Sequence, residues 1–208
     1  MTNKQKQLWE ELAKKNSKYY INSDHGRGIT EEQFIKSGKE AYDRLIRSDG
    51  LLKNRNTILD YGCGTGRLME FMANDFKKVF GVDISRTMID EARERLKNIM
   101  NVYLAETDGQ DIPLPAGSVD IIFSYLVFQH IKDRQMVEGA FSEIFRILKP
   151  GGIFKVLMRS DKQKDMGKWW SGVEYSHESI KKVYDIIGFK LLKTEPVDQY
   201  AYWLWLSR

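Results

Sequence analysis

Two kinds of periodicity divide the chain. In residues 4–16 the apolar positions Leu8, Trp9 and Leu12 fall on one helical face, and a second helical pattern over 30–47 carries Phe34, Ala41, Leu45 and Ile46. Thr30, followed three residues later by Gln33, is a candidate capping box, and the stretch NSDHGRG between the two patterns reads as a loop. From residue 57 short apolar runs take over, at 57–61, 78–82, 102–105, 119–125 and 153–158, with helical patterns at 66–75, 86–98 and 133–147 between most of them. Strands alternating with helices imply a parallel sheet covered on both faces. Pro150, Gly151 and Gly152 are expected to end the 133–147 helix and reverse the chain. The pattern then changes again. A helix over 178–187 stops at Gly188, and two apolar runs, 189–195 and 200–206, follow with only a short turn between them. A link that short joins antiparallel neighbours. The sheet is thus expected to be parallel except for its last strands.

Length and composition narrow the setting. The 208 residues suffice for one domain, or one with a small appendage, and 42% hydrophobic with 30% charged residues is ordinary for a globular chain. No apolar run is long enough to span a bilayer, the N-terminus lacks a signal-like apolar stretch, and the single cysteine, Cys63, cannot form an internal disulfide. A cytoplasmic protein without membrane partners is expected. The net charge of +4 is mild, and Lys4, Lys6, Lys14, Lys15 and Lys18 read as a solvated helix face, so nucleic acid is not the expected partner. No His, Cys and carboxylate group has metal-ligand spacing.

The most informative segment is Ile58-Leu59-Asp60-Tyr61-Gly62-Cys63-Gly64-Thr65-Gly66-Arg67-Leu68. An apolar strand runs through three glycines into a helix, which suits a backbone that turns sharply under a closely approaching ligand. The spacing is G-x-G-x-G. Arg67 occupies the third-glycine position of the dinucleotide fingerprint, which counts against NAD or FAD. Asp60, two residues before the first glycine, can meet an ammonium group. Asp83 ends the second strand, where a carboxylate can accept hydrogen bonds from both ribose hydroxyls; its alternative role is to cap the following helix, for which Ser85 is equally placed.

These residues resemble the first two motifs of the class I S-adenosylmethionine (SAM)-dependent methyltransferases. Glu106–Pro115, Val119–Tyr125 and Leu148–Phe154 are similar to the segments around that family's third, fourth and fifth strands, so that the resemblance covers about residues 50–208. It implies a Rossmann-like α/β fold: a seven-stranded mixed sheet of order 3-2-1-4-5-7-6 with strand 7 antiparallel and helices on both faces. A SAM-binding domain over 51–208 would then carry an N-terminal helical cap over 1–50. The cofactor implied is SAM, with S-adenosylhomocysteine as product. Its site would be drawn from Asp60, Gly62, Cys63 (a packing residue of the loop), Gly64, Gly66, Asp83 and Ile84, from Asp108, Gly109 and Gln110 around the adenine, and from Ser124.

Methyl transfer from a sulfonium needs alignment, proximity and, for a protonated nucleophile, a base. The acceptor is expected beyond the fourth strand, near Tyr125. His130 is the candidate base there, with packing as its alternative role, and His25 in the 22–28 loop is the second candidate. Tyr20, Arg159, Trp169 and Trp170 are candidate acceptor contacts, Arg159 toward an anionic group and the tryptophans on a polar stretch that could serve as a lid. The segment after the fourth strand is not Asn/Asp-Pro-Pro-Tyr, and no second cysteine exists for a cysteine-nucleophile mechanism. A small-molecule acceptor methylated at oxygen or nitrogen is expected. A protein or RNA methyltransferase and a non-catalytic SAM-binding protein are the alternatives.

Overall fold

A computed structural model describes residues 3–21, 28–160 and 172–208. The chain divides into two compact units, 1–108 and 109–208. Its strands form one seven-stranded sheet of order β3-β2-β1-β4-β5-β7-β6, the order expected, with β7 antiparallel to both neighbours.

The first unit opens with α1 (Asn3–Ile21), longer than its apolar pattern. The helix kinks at Asn16, where φ is −173°, and the Asn16 side chain accepts the Tyr19 N–H at 3.0 Å, capping the segment beyond the kink. Helix α2 (Glu31–Tyr42) begins with the expected box: Gln33 N–H to Thr30 Oγ1 at 3.2 Å and Thr30 N–H to Gln33 Oε1 at 3.0 Å. It loosens into a π-helical turn over Asp43–Arg47. Strands β1 (Thr57–Tyr61), β2 (Lys78–Asp83) and β3 (Val102–Glu106) pair in parallel. Helix α3 (Met69–Asp75) starts three residues later than its pattern, because the glycine loop continues as turns through Leu68. Helix α4 (Arg86–Arg95) is capped by Ser85, whose side chain accepts the Met88 N–H. Of the two candidate caps it is therefore Ser85 that takes the role, while Asp83 accepts the Ser85 N–H.

The second unit holds β4 (Val119–Ser124), α5 (Arg134–Ile147), β5 (Leu148–Arg159), α6 (His177–Ile187), β6 (Lys190–Pro196) and β7 (Ala201–Ser207). Here one expectation fails. Pro150-Gly151-Gly152 is not a reversing turn after α5. The helix already ends at Ile147, Leu148 pairs with Val119, and the next pairing is Ile121 with Ile153, so the extra residues bulge out of β5. The β4 backbone explains the glycine: a Cβ on Gly152 would sit 2.9 Å from the Asp120 carbonyl. Gly188 stops α6 in the left-handed region, φ 105°, as expected.

The core of this unit is aromatic. Phe128, Phe141, Phe154 and Phe189 meet edge-on or tilted. On the sheet face carrying Phe123, Lys155 and Trp205, the Lys155 ammonium lies 4.9 and 4.6 Å from the ring centres of Trp203 and Trp205.

Candidate active site

The glycine loop is built on the end of β1. Gly62, Gly64 and Gly66 all have positive φ, 82°, 53° and 76°, a region in which side chains are strained. The loop folds back on β2: the Gly62 and Cys63 N–H groups both donate to the Val82 carbonyl. Gly64 also lies against the end of α1, since a Cβ there would be 2.9 Å from Ile21 Cδ1.

Asp83 joins this loop to α4. Its Oδ2 accepts the Gly64 N–H at 2.9 Å and its Oδ1 accepts the Ser85 N–H at 2.9 Å. Burial pushes the carboxyl above the usual range, against backbone hydrogen bonds from Ser85, Gly64 and Ile84 that pull it down. Three backbone donors fill most of the carboxylate's roughly four lone-pair sites and leave about one for a ligand hydroxyl. Asp60 is buried, and that burial raises its carboxyl to about 7, with Arg67 opposing the shift and Asp83 adding to it. A nearby cation would reverse this shift. Cys63 is buried with its thiol pushed well above the usual range, chiefly by burial, which suits a packing role.

Residues that sequence reasoning missed complete this half. Arg67 is buried. Its guanidinium lies 5.9 Å from the Phe34 ring centre and donates to Ser37 Oγ at 3.2 Å, so this position anchors α2 on the loop. Arg95 lies 5.0 Å from the same ring centre. Thr65 is 1% exposed, and its hydroxyl finds no hydrogen-bond partner among the described residues. Glu10, on α1, accepts from Ser85 Oγ, Thr87 N–H and Thr87 Oγ1 at 2.8, 3.1 and 2.5 Å. Burial would raise its carboxyl, but these bonds and Lys14 outweigh it and hold the group at about 2. Ion pairs from Lys6 to Glu106 and from Lys18 to Glu31 fix the same helix, so two of its lysines are not simply solvated. Only the Arg67 position carried a local signal, the missing third glycine. Glu10 and Ser85 are too far apart in sequence for any motif to join them.

Of the residues expected around the adenine, Asp108 is exposed and Gly109 has φ 90°. Gln110 Nε2 donates to the Gln135 carbonyl at 3.1 Å, which commits its side chain to α5. Ile84 is half-buried.

In the second unit, Ser124 ends β4 and is buried. Tyr125 follows, half-exposed and stacked on Trp203 with 5.6 Å between ring centres. Next comes Leu126 with φ 61°, the only described non-glycine residue in the left-handed region. Strain of this kind concentrates at functional sites. His130 lies ahead of α5. It closes a separate 3₁₀ turn, Phe128–His130, and is buried, with its Nε2 3.2 Å from Gln129 Nε2. Arg159 ends β5, 5% exposed, with Nη2 3.2 Å from Glu174 Oε1. Tyr20 packs edge-on against Tyr19 near the end of α1. His177 opens α6 with its ring on Tyr202. His25, Trp169 and Trp170 lie outside the described residues. Among the described residues no helix is long and apolar enough to cross a membrane, and no side-chain group could hold a metal ion.

Sheet order and loop together define a Rossmann-like methyltransferase domain. Residues 59–156 match the family model described as a methyltransferase domain. Over 118 residues the chain is 36% identical to malonyl-[acyl-carrier protein] O-methyltransferase of Yersinia pestis, an alignment covering 56% of this chain and 42% of that protein. The solved phosphoethanolamine N-methyltransferase 2 of Haemonchus contortus, in complex with S-adenosyl-L-methionine, is 27% identical with a TM-score of 0.63, covering 78% of this chain and 38% of that one. A SAM-dependent methyltransferase of Aquifex aeolicus, 21% identical, shares the fold with a TM-score of 0.63 over 86% of this chain and 98% of its own. The methyltransferase-domain match, these relatives and the shared fold support a class I SAM-dependent methyltransferase. It spans about half the length, or less, of the curated relatives it matches.

Proposed function

We propose that this chain transfers the methyl group of SAM to an oxygen or nitrogen of a small-molecule acceptor, releasing S-adenosylhomocysteine. The observation that carries this reading is the three-glycine loop held by Asp83, with the Thr65 hydroxyl buried in it and lacking a partner among the described residues. These residues fit the cofactor. The loop backbone and Thr65 hold the methionine end, Asp60 meets its ammonium group, and Asp83 takes the ribose hydroxyls with Ile84 beside it. Asp108 binds the adenine amino group, the Gly109 and Gln110 backbone reads the ring, and Ser124 completes the cofactor contacts. Residues 1–50 act as a helical cap over the domain 51–208, an arrangement supported by Ile21 against Gly64 and Glu10 on the α4 N-terminus.

Bound SAM supplies an electrophilic methyl on a good leaving group. The chain supplies alignment and proton handling. His130 takes the acceptor's proton, with His25 the second candidate, and Tyr125, Tyr20, Arg159, Trp169 and Trp170 contact the acceptor. The relatives' names include O-, N- and C-methyltransferases of small molecules, which supports the acceptor class rather than one acceptor. Calorimetric titration with S-adenosylhomocysteine, with NADH as control, tests the reading: saturable binding of the first alone is expected, and binding of NADH alone overturns it. In an acceptor screen with radiolabelled SAM, His130→Ala lowers turnover at unchanged cofactor affinity; unaltered turnover removes His130 as the base.

A further inference from the structure

Arg159 is the last residue of β5 and is 5% exposed. A buried guanidinium normally has all its donors engaged, since an unmade hydrogen bond to a charged group is costly. Here only Nη2 approaches an anion, Glu174 Oε1 at 3.2 Å, while Nε and Nη1 are buried with no hydrogen-bond partner among the described residues. The Arg159–Glu174 pair is held from both sides. The Tyr175 N–H donates to the Arg159 carbonyl and the Val173 N–H to the Ile131 carbonyl, so Glu174 lies between two backbone anchors. The Arg134 guanidinium adds a bond to the Glu174 carbonyl at 3.0 Å. These bonds fix the Glu174 backbone, while its Oε1 is buried and makes no hydrogen bond among the described residues.

The register gives the surroundings. Leu157 pairs with Trp203 and Arg159 with Ala201, so Arg159 stands on the sheet face that carries Trp203, two residues along from it. On that face Phe123, Tyr125 and Trp203 form one aromatic stack, with Phe123 and Trp203 buried and Tyr125 half-exposed. The stack lies at the carboxyl end of β4, the end at which ligands bind in open α/β sheets. A ring surface and a guanidinium with spare donors share one sheet face.

We propose that the acceptor is an aromatic carboxylate, its ring against the Tyr125–Trp203 stack and its carboxylate on the free donors of Arg159. This deepens, and rests on, the small-molecule methyltransferase reading. Glu174, an ion-pair neighbour of Nη2 that makes no hydrogen bond to it, offsets part of the charge, which selects a carboxylate delivered with an apolar ring over a bare, strongly hydrated anion.

The test is calorimetric titration of the S-adenosylhomocysteine-saturated chain with benzoate, its neutral isostere benzamide, and inorganic phosphate. Benzoate is expected to bind about ten-fold more tightly than benzamide, the worth of one charge-assisted hydrogen bond, and more tightly than phosphate. Arg159→Met removes the benzoate preference while S-adenosylhomocysteine affinity stays unchanged, which also shows the variant is folded. Glu174→Gln tightens benzoate several-fold by removing the competing carboxylate. Equal binding of benzoate and benzamide, or a preference that survives Arg159→Met, overturns the proposal. Phosphate binding as tight as benzoate overturns the aromatic assignment. A wild-type chain that fails to bind S-adenosylhomocysteine fails at the earlier step and sinks the methyltransferase reading instead.

Discussion

The backbone N–H of Gly64 donates to Asp83 Oδ2 at 2.9 Å, tying the turn after β1 to the end of β2. The other oxygen of the same carboxylate accepts from Ser85 at the start of α4. One side chain therefore sets the loop, the helix entry and the proposed ribose contact together. Asp83→Ala is expected to weaken S-adenosylhomocysteine binding by about 1.5–3 kcal/mol, and to speed amide exchange at Gly64. Calorimetry and hydrogen exchange read the two effects separately; unchanged affinity would remove Asp83 from the ribose site.

Asp60 gives a pH signature. Its carboxyl titrates at about 7 in the folded chain against 3.8 ordinarily, so the native state holds a proton that the unfolded chain releases. Stability therefore falls as pH rises from 3.8 towards 7 on this group's account. Asp60→Asn is expected to raise Tm above neutral pH, to change it little below pH 3.8, and to weaken cofactor binding. In the wild type an ammonium-bearing ligand draws the proton off. Affinity should rise with pH through about 7, with proton release measurable by calorimetry in buffers of different ionisation enthalpy.

Glu10 runs the opposite way. Held at about 2 against an ordinary 4.5, it contributes stability that is complete above 4.5 and is lost as pH falls through 2. Glu10→Gln is expected to cost about 1.5–3 kcal/mol at neutral pH, the range for hydrogen bonds to a charged group. Urea unfolding should show the gap between variant and wild type narrowing as pH approaches 2. Limited proteolysis should show α1 cut sooner in the variant.

Leu126, at φ 61°, holds a conformation that costs a side-chain-bearing residue about 1–2 kcal/mol. Leu126→Gly relieves that strain, so its net effect on stability should stay within about 1 kcal/mol. Leu126→Val, with a β-branched side chain in the same region, is expected to destabilise clearly more. Urea midpoints rank the three chains, and a valine variant as stable as the glycine one would show that the strain is absent.

The sequence by itself determined the order of strands and helices, because alternation and turn chemistry are local. The run from Ile58 to Leu68 announced a ligand loop, since only glycine takes positive φ freely in succession, and Asp83 was legible from its place at a strand end. The short link before β7 announced its antiparallel pairing. Local pattern misjudged Pro150–Gly152, because a bulge and a reversing turn call for the same residues, and the choice was made by the β4 backbone beside Gly152. It also missed Glu10, Thr65 and Glu174. Each is an ordinary residue in its own segment and acquires meaning only from a partner brought close by folding, or from a partner that burial withholds. Such contacts are long-range, and no period or motif along the chain encodes them. Tertiary structure alone turned Arg159 from a charge at a strand end into a buried guanidinium with donors to spare, because packing removed its water.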